Sequence, residues 1–254
     1  YENNEYNVYC MGHQLRLYNG ERHTHKVCVG TNCTNSSHDA VFWTPISTAD
    51  ELRKINVNNS KNQYYYLEKD IELPETVSAW AYAWMPADKV VLCLNGHSIT
   101  QPGTTPVISV GADKKDYTFT LTDCRGGKED GEYGKITNTN EKSDYAIKVH
   151  SGSVFHFYGG CITGNASGID TVQVNGAFHM YGGEIKGNVK TVSYPNSIVT
   201  VYKDGIFHMT GGKITGNSGG AACGGVYVYE GGTITVSGDA EITDNVIGGT
   251  KGAD

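Results

Sequence analysis

The sequence predicts an all-β fold: a right-handed, single-stranded parallel β-helix with a small Cys/His-rich module at its N-terminus. Three observations carry this. A Gly-Gly-x-Ile-x-Gly-Asn turn recurs along the chain, short runs of alternating apolar and polar residues precede each turn, and the composition favours strands and tight turns, with 33 Gly and 17 Tyr against 6 Pro.

The repeat comes first. Four segments align: Phe155 to Asn165, Phe178 to Asn188, Phe207 to Asn217 and Ile234 to Asn245, with starts 23, 29 and 27 residues apart. An earlier, degenerate copy runs from Phe119 to Asp123 and resumes at Gly134 to Asn138. A second alternating run precedes each copy, at Ile147 to Val149, Val172 to Val174, Val199 to Val201 and Val226 to Val228. Strands this short bury one face each and are not stable alone. Winding them into coils stacks equivalent strands about 4.8 Å apart and pairs each edge with the next coil. The period is short for a propeller blade, and the Leu pattern of a leucine-rich repeat is missing.

Alternation assigns the faces. Phe155, Phe178, Phe207 and Ile234 share a side with Phe157, Met180, Met209 and Val236, and are expected to point inward. Ile162, Ile185, Ile214 and Ile242 form a second apolar column after the corner. Asn165, Asn188, Asn217 and Asn245 should stack as an amide ladder at the next corner. Residues 1–60 read as the N-terminal segment and 61–254 as the β-helix, with Tyr64 to Leu67, Val90 to Ile99 and Val107 to Val110 in the first coils or a cap.

With Tyr65 to Asp70, Leu92 to Gly96, Leu121 to Cys124 and the Gly-Gly-x-Ile-Thr-Gly-Asn repeats together, roughly residues 23–247 resemble secreted or surface repeat proteins of Gram-positive gut bacteria. The resemblance implies a β-helix of the pectin-lyase-like solenoid kind within a larger surface or secreted protein. It supplies no catalytic residue set.

The formal charge of -7 and the near absence of Arg beyond Arg53, where Arg125 stands alone, argue against a nucleic-acid partner. No apolar run is long enough to span a membrane. The polar start at Tyr1 suits a mature or trimmed product, and an extracellular or cell-surface location is expected.

The sharpest chemical signal lies between His23 and His38. His25, Cys28, Cys33 and His38, separated by two, four and four residues, offer two thiolates and two imidazoles for a structural Zn²⁺, with His23 as a substitute for His25. A Cys28–Cys33 disulfide is the competing chemistry in an oxidising compartment. With seven Cys in all, at least one has no intrachain partner. Cys124 and Cys161, at nearly equivalent corners, are a candidate staple across coils.

Four further features stand out. His156, His179 and His208 form an outward column, either a metal-binding or pH-sensitive row or a plain solvent-facing ladder. Trp80, Tyr82 and Trp84 share one face if extended, and either stack on a sugar or plug the N-terminal end of the coil. Asp123, Asp144, Asp170, Asp204, Asp239 and Asp244 occupy different repeat positions and make no evident acid/base pair, so no catalytic residues are expected. Glu184 and Glu241, with Lys213 between them, read as a salt-bridged ladder.

The expectation is therefore a non-catalytic structural or adhesive module, a stalk or the subunit of a fibre formed by end-to-end stacking. The alternative is a carbohydrate-binding or carbohydrate-active β-helix, of glycoside hydrolase or polysaccharide lyase type, with a glycan partner.

Overall fold

A computed structural model describes residues 43–56, 64–75, 84–112, 116–125, 132–143, 145–191, 197–221 and 223–248, together with the backbone of Tyr9–Cys10, His13–Tyr18, Arg22–Lys26, Ala40–Phe42 and Thr250–Lys251. The first four of those backbone strands form an antiparallel sheet in chain order. From Thr44 onward the chain winds into a right-handed parallel β-solenoid, as the repeat predicts.

Each coil lays one strand on each of up to three faces. The first face has eight strands: Thr44–Ile46, Tyr64–Leu67, Val90–Cys93, Thr118–Thr122, Val154–Phe157, Ala177–Met180, Ile206–Met209 and Thr233–Val236. The second has seven, from Ile71–Glu72 to Glu241–Thr243, and the third has five, from Ile108–Val110 to Val226–Val228. Short strands such as Ala166–Ser167 and Val189–Lys190 build a further sheet at the corner after each Asn. Register follows the repeat without slippage: Phe155 pairs with Phe178, Phe178 with Phe207 and Phe207 with Ile234, while Ile162, Ile185, Ile214 and Ile242 line up on the second face. A one-residue slip would turn every apolar side chain outward, so burial itself holds the register.

The core is built of these columns. Phe119, Phe155, Phe178 and Phe207 are fully buried and stack with centroids 5.7, 5.1 and 4.9 Å apart. Burying each such ring contributes about 1.5–3 kcal/mol. At the corner the Asn ladder forms as expected. Asn165 Nδ2 donates to Asn188 Oδ1 at 2.8 Å, Asn188 Nδ2 to Asn217 Oδ1 at 3.0 Å and Asn217 Nδ2 to Asn245 Oδ1 at 2.8 Å. The same Oδ1 atoms accept the backbone N–H of the preceding coil's Asn, and Nδ2 of Asn188, Asn217 and Asn245 also donates back to the carbonyls of Ile162, Ile185 and Ile214, each at 2.9 Å. Four side-chain bonding positions of a buried amide are thereby largely used, which is what makes burial affordable.

The Gly positions of the turn do two different jobs. The second Gly of each corner, at Gly160, Gly183 and Gly212, has φ of 108°, 76° and 84°; a Cβ on Gly183 or Gly212 would also lie 2.7 Å from a carbonyl oxygen of the preceding coil. The Gly before each Asn has φ of 67°, 62° and 62° at Gly164, Gly187 and Gly216; a Cβ there would meet a Thr side chain only at ordinary contact, 3.5 Å, at Gly164 and Gly187, and nothing within 4 Å at Gly216. In the last coil Asp244 stands at that second position with φ 57°, a left-handed conformation that Asp tolerates better than most residues.

The two ends differ. The N-terminal end is closed by the helix Ala49–Lys54, started by a capping box between Thr48 and Glu51 and burying Leu52 in the core. Trp84 lies beneath it, 1% exposed, donating from Nε1 to the Ile55 carbonyl at 3.2 Å and packing edge-on against Phe119. At the C-terminal end Ile234 and Val236, successors of the Phe and Met columns, are 38% and 47% exposed.

Candidate functional site

The outward side of the second face carries the candidate site. Residues two apart on a strand share a face, so the side chains flanking the inward Ile of each repeat point to solvent. One outward column runs Lys135, Cys161, Glu184, Lys213, Glu241, and its neighbour runs Thr137, Thr163, Lys186, Thr215, Thr243. In the second coil of this series the column residue is the small, buried Cys161, where other coils carry Glu or Lys. The column therefore dips between Lys135 and Glu184. The result is a cleft of about 550 Å³ lined by Glu132, Tyr133, Lys135, Cys161, Glu184 and Lys186, with Thr137, Thr163 and Gly164 completing its walls.

Its charges come as pairs. Lys135 Nζ lies 2.7 Å from Glu132 Oε2, and Lys186 Nζ lies 2.5 Å from Glu184 Oε2. The Glu184 carboxylate raises the Lys186 pKa, and Lys135 lowers that of Glu132. Burial pushes the Cys161 thiol up to about 11, so it is a protonated, weakly nucleophilic floor rather than a thiolate. Burial likewise raises the half-buried Tyr133 phenol. Thr137 Oγ1 donates across the coils to the Thr163 carbonyl at 2.9 Å, fixing the far wall. Beside the cleft, the Asp123 carboxyl accepts from the backbone N–H of Gly96, Arg125 and Gly134 at 2.8, 3.1 and 2.6 Å. Desolvation raises its pKa against those bonds, and the three contacts make it a clamp on the corner.

The expected salt-bridged ladder is present in altered form. Lys213 pairs with Glu241 at 2.9 Å, but Glu184 turns to Lys186 on its own strand instead of to Lys213. The His column forms on the first face: the rings of His156 and His179 stack at 5.2 Å, and those of His179 and His208 lie 5.8 Å apart, tilted by 47°. Tyr158 and Tyr181 stack beside them at 4.4 Å, and the Tyr181 hydroxyl lies 3.4 Å from His156 Nδ1. A shared metal needs lone pairs that converge on one point, and no described group of three or more His, Cys, Asp and Glu side chains is placed to do so.

The zinc expectation is corrected. Among the described residues no group of three or more His, Cys, Asp and Glu side chains is placed to hold a metal ion, so Zn²⁺ is not assigned to this chain. A tetrahedral site needs four donors about 2.0–2.3 Å from one point, and no described grouping offers that. Cys28, Cys33 and His38 lie outside the described residues. His25 falls in the strand Arg22–Lys26, paired with Leu15 and Val41 rather than set in a loop. Cys124 and Cys161 are separate buried thiols, not a staple. Of the aromatic trio, Trp84 is a core residue at the closed end, and Trp80 and Tyr82 lie outside the described residues.

Sequence reasoning missed the cleft. Its signal was the single departure of Cys161 from the Glu/Lys pattern at one register position, together with Tyr133 just upstream of the degenerate copy. Among the described residues no helix is long and apolar enough to cross a membrane. No protein-family model, curated protein or solved structure matches this chain, so the reading of the site rests on its own geometry.

Proposed function

We propose that the chain is a non-catalytic structural or adhesive module of an extracellular protein on a bacterial surface, serving as a stalk or as the subunit of a fibre. The observation that carries this reading is the contrast between its sides and its ends. Along the sides, equivalent residues stack in register over successive coils and satisfy one another, as the Asn ladder does. At the C-terminal end Ile234 and Val236 remain exposed, continuous with the core columns. Among the described residues, the N-terminal end is covered by the helix Ala49–Lys54, and its edge strand Thr44–Ile46 contains Pro45, which cannot donate to a further strand. A further coil, such as one from a second copy, is therefore expected to stack on the last described coil.

Light scattering across a concentration series, with negative-stain microscopy, tests the fibre form. Association that Ile234→Lys and Val236→Lys abolish supports it; a monomer at every concentration removes it. Release of sugar fragments from any polysaccharide by the purified chain would overturn the non-catalytic part.

A further inference from the structure

We infer that the cleft around Cys161 is a binding site for a neutral saccharide of one or two rings. The inference rests on the adhesive reading for its setting and names the ligand of that adhesion.

Size is the first argument. Lys135 and Glu184 are two coils apart in register, which places them about 10 Å apart along the axis at the spacing of stacked strands. That gap, floored by the small Cys161, accommodates a pyranose ring, and the cleft volume of about 550 Å³ leaves room for a second. It also falls within the roughly 300–1,000 Å³ common to small-molecule sites.

Charge is the second. The lining carries two ammonium groups and two carboxylates, each already paired at 2.7 and 2.5 Å, so the site is formally neutral. An acidic sugar would have to break one pair and face the carboxylate left behind, with a like-charge cost that nothing else among the described lining residues offsets. A neutral polyol avoids this. Its hydroxyls donate to Glu132 and Glu184 and accept from Lys135 and Lys186 without displacing any charge, and such charge-assisted bonds are stronger than neutral ones.

Shape of the wall is the third. Tyr133 is the one aromatic ring in the lining and supplies an apolar surface with a hydroxyl at its tip. A sugar presents the matching combination, an apolar C–H face ringed by hydroxyls. The protonated Cys161 thiol adds no competing charge beneath it.

The register suggests a gentle way to close the site. Cys161→Lys installs the residue type that occupies the same column position at Lys213, in a coil that folds with it. Ligand-observed NMR titration of the purified chain with neutral mono- and disaccharides, hexoses and N-acetylhexosamines, reads binding directly. Wild type should bind at least one. Cys161→Lys and Tyr133→Ala should each weaken that binding about tenfold or more, with circular dichroism and melting unchanged. If Cys161→Lys does not fold, Tyr133→Ala and Glu184→Gln decide the matter. No neutral sugar bound by wild type, binding untouched by these changes, or binding of uronic acids in preference overturns the proposal. None of these results bears on self-association, so the fibre reading stands or falls separately.

Discussion

The interior coils and the last coil share one sequence pattern but not one environment. Phe178 and Ile234 occupy the same column, yet Phe178 is fully buried between Phe155 and Phe207, and Ile234 is 38% exposed. In a solenoid each residue is buried by the coil on either side, so a position's worth depends on how many neighbours it has rather than on its place in the motif. The Asn ladder behaves otherwise. Asn245 in the last coil is as buried as Asn188, because the chain folds back at that corner through the pairing of Val246–Ile247 with Thr250–Lys251. One coil thus has an open face and a closed corner.

This contrast can be broken or sharpened by experiment. The largest effect is expected from Phe178→Ala, which should cost about 3–5 kcal/mol by leaving a cavity between two rings. Ile234→Ala should cost about 1 kcal/mol, since much of its surface already meets water. Denaturant unfolding of both variants checks the difference, and equal losses would mean that the last coil is covered in solution. Next is the ladder. Asn188→Ala should cost about 2–4 kcal/mol, because it removes the acceptor of the buried Asn165 N–H, one of the bonds of Asn165 Nδ2 and the donor to the Ile162 carbonyl. Asn245→Ala should cost a similar amount, despite its place in the open coil; a negligible loss there would show the corner frayed.

A smaller effect separates the two kinds of Gly. Gly212→Ala should cost about 2–3 kcal/mol, combining the left-handed backbone with a clash against Gly183. Gly216→Ala meets open space and should cost about 1–2 kcal/mol for the backbone alone, and Gly216→Asn less still. Melting temperatures of the three variants would rank them. The smallest effect concerns pH. Burial, then the neighbouring His179, pulls His156 from 6.5 down to about 4, with the Tyr181 hydroxyl at its Nδ1 and Tyr158 alongside. His179 is lowered in the same sense by burial and by His208. The unfolded chain therefore takes up these protons first as pH falls. Their contribution to stability is full above about pH 6.5 and is lost progressively toward pH 4. The melting temperature should fall over that window, and fall less in His156→Gln.

Legibility in the sequence followed the same division. The inward columns, the corner ladder and the register were readable because each rests on a short-range rule: alternation within a strand, Gly where φ is positive, and the recurrence of both at a fixed period. The helix Ala49–Lys54 went unread because it occurs once, is short, and owes its place to Leu52 and Ile55 meeting a coil far along the chain. The zinc expectation is overturned among the described residues, where no group of His, Cys, Asp and Glu is placed to hold a metal ion. The cleft was hidden because its lining is drawn from three successive coils whose members are far apart in sequence.

By itself, then, the sequence determined the coil: which residues face inward, where the chain turns, and how one repeat stacks on the next. Those are local consequences of periodicity and backbone sterics. Tertiary structure alone decided where the coil is shut, where it stays open, and where a small residue in an otherwise charged column leaves a hollow. Such features depend on what lies above and below each side chain, and that is settled only when separate coils come together.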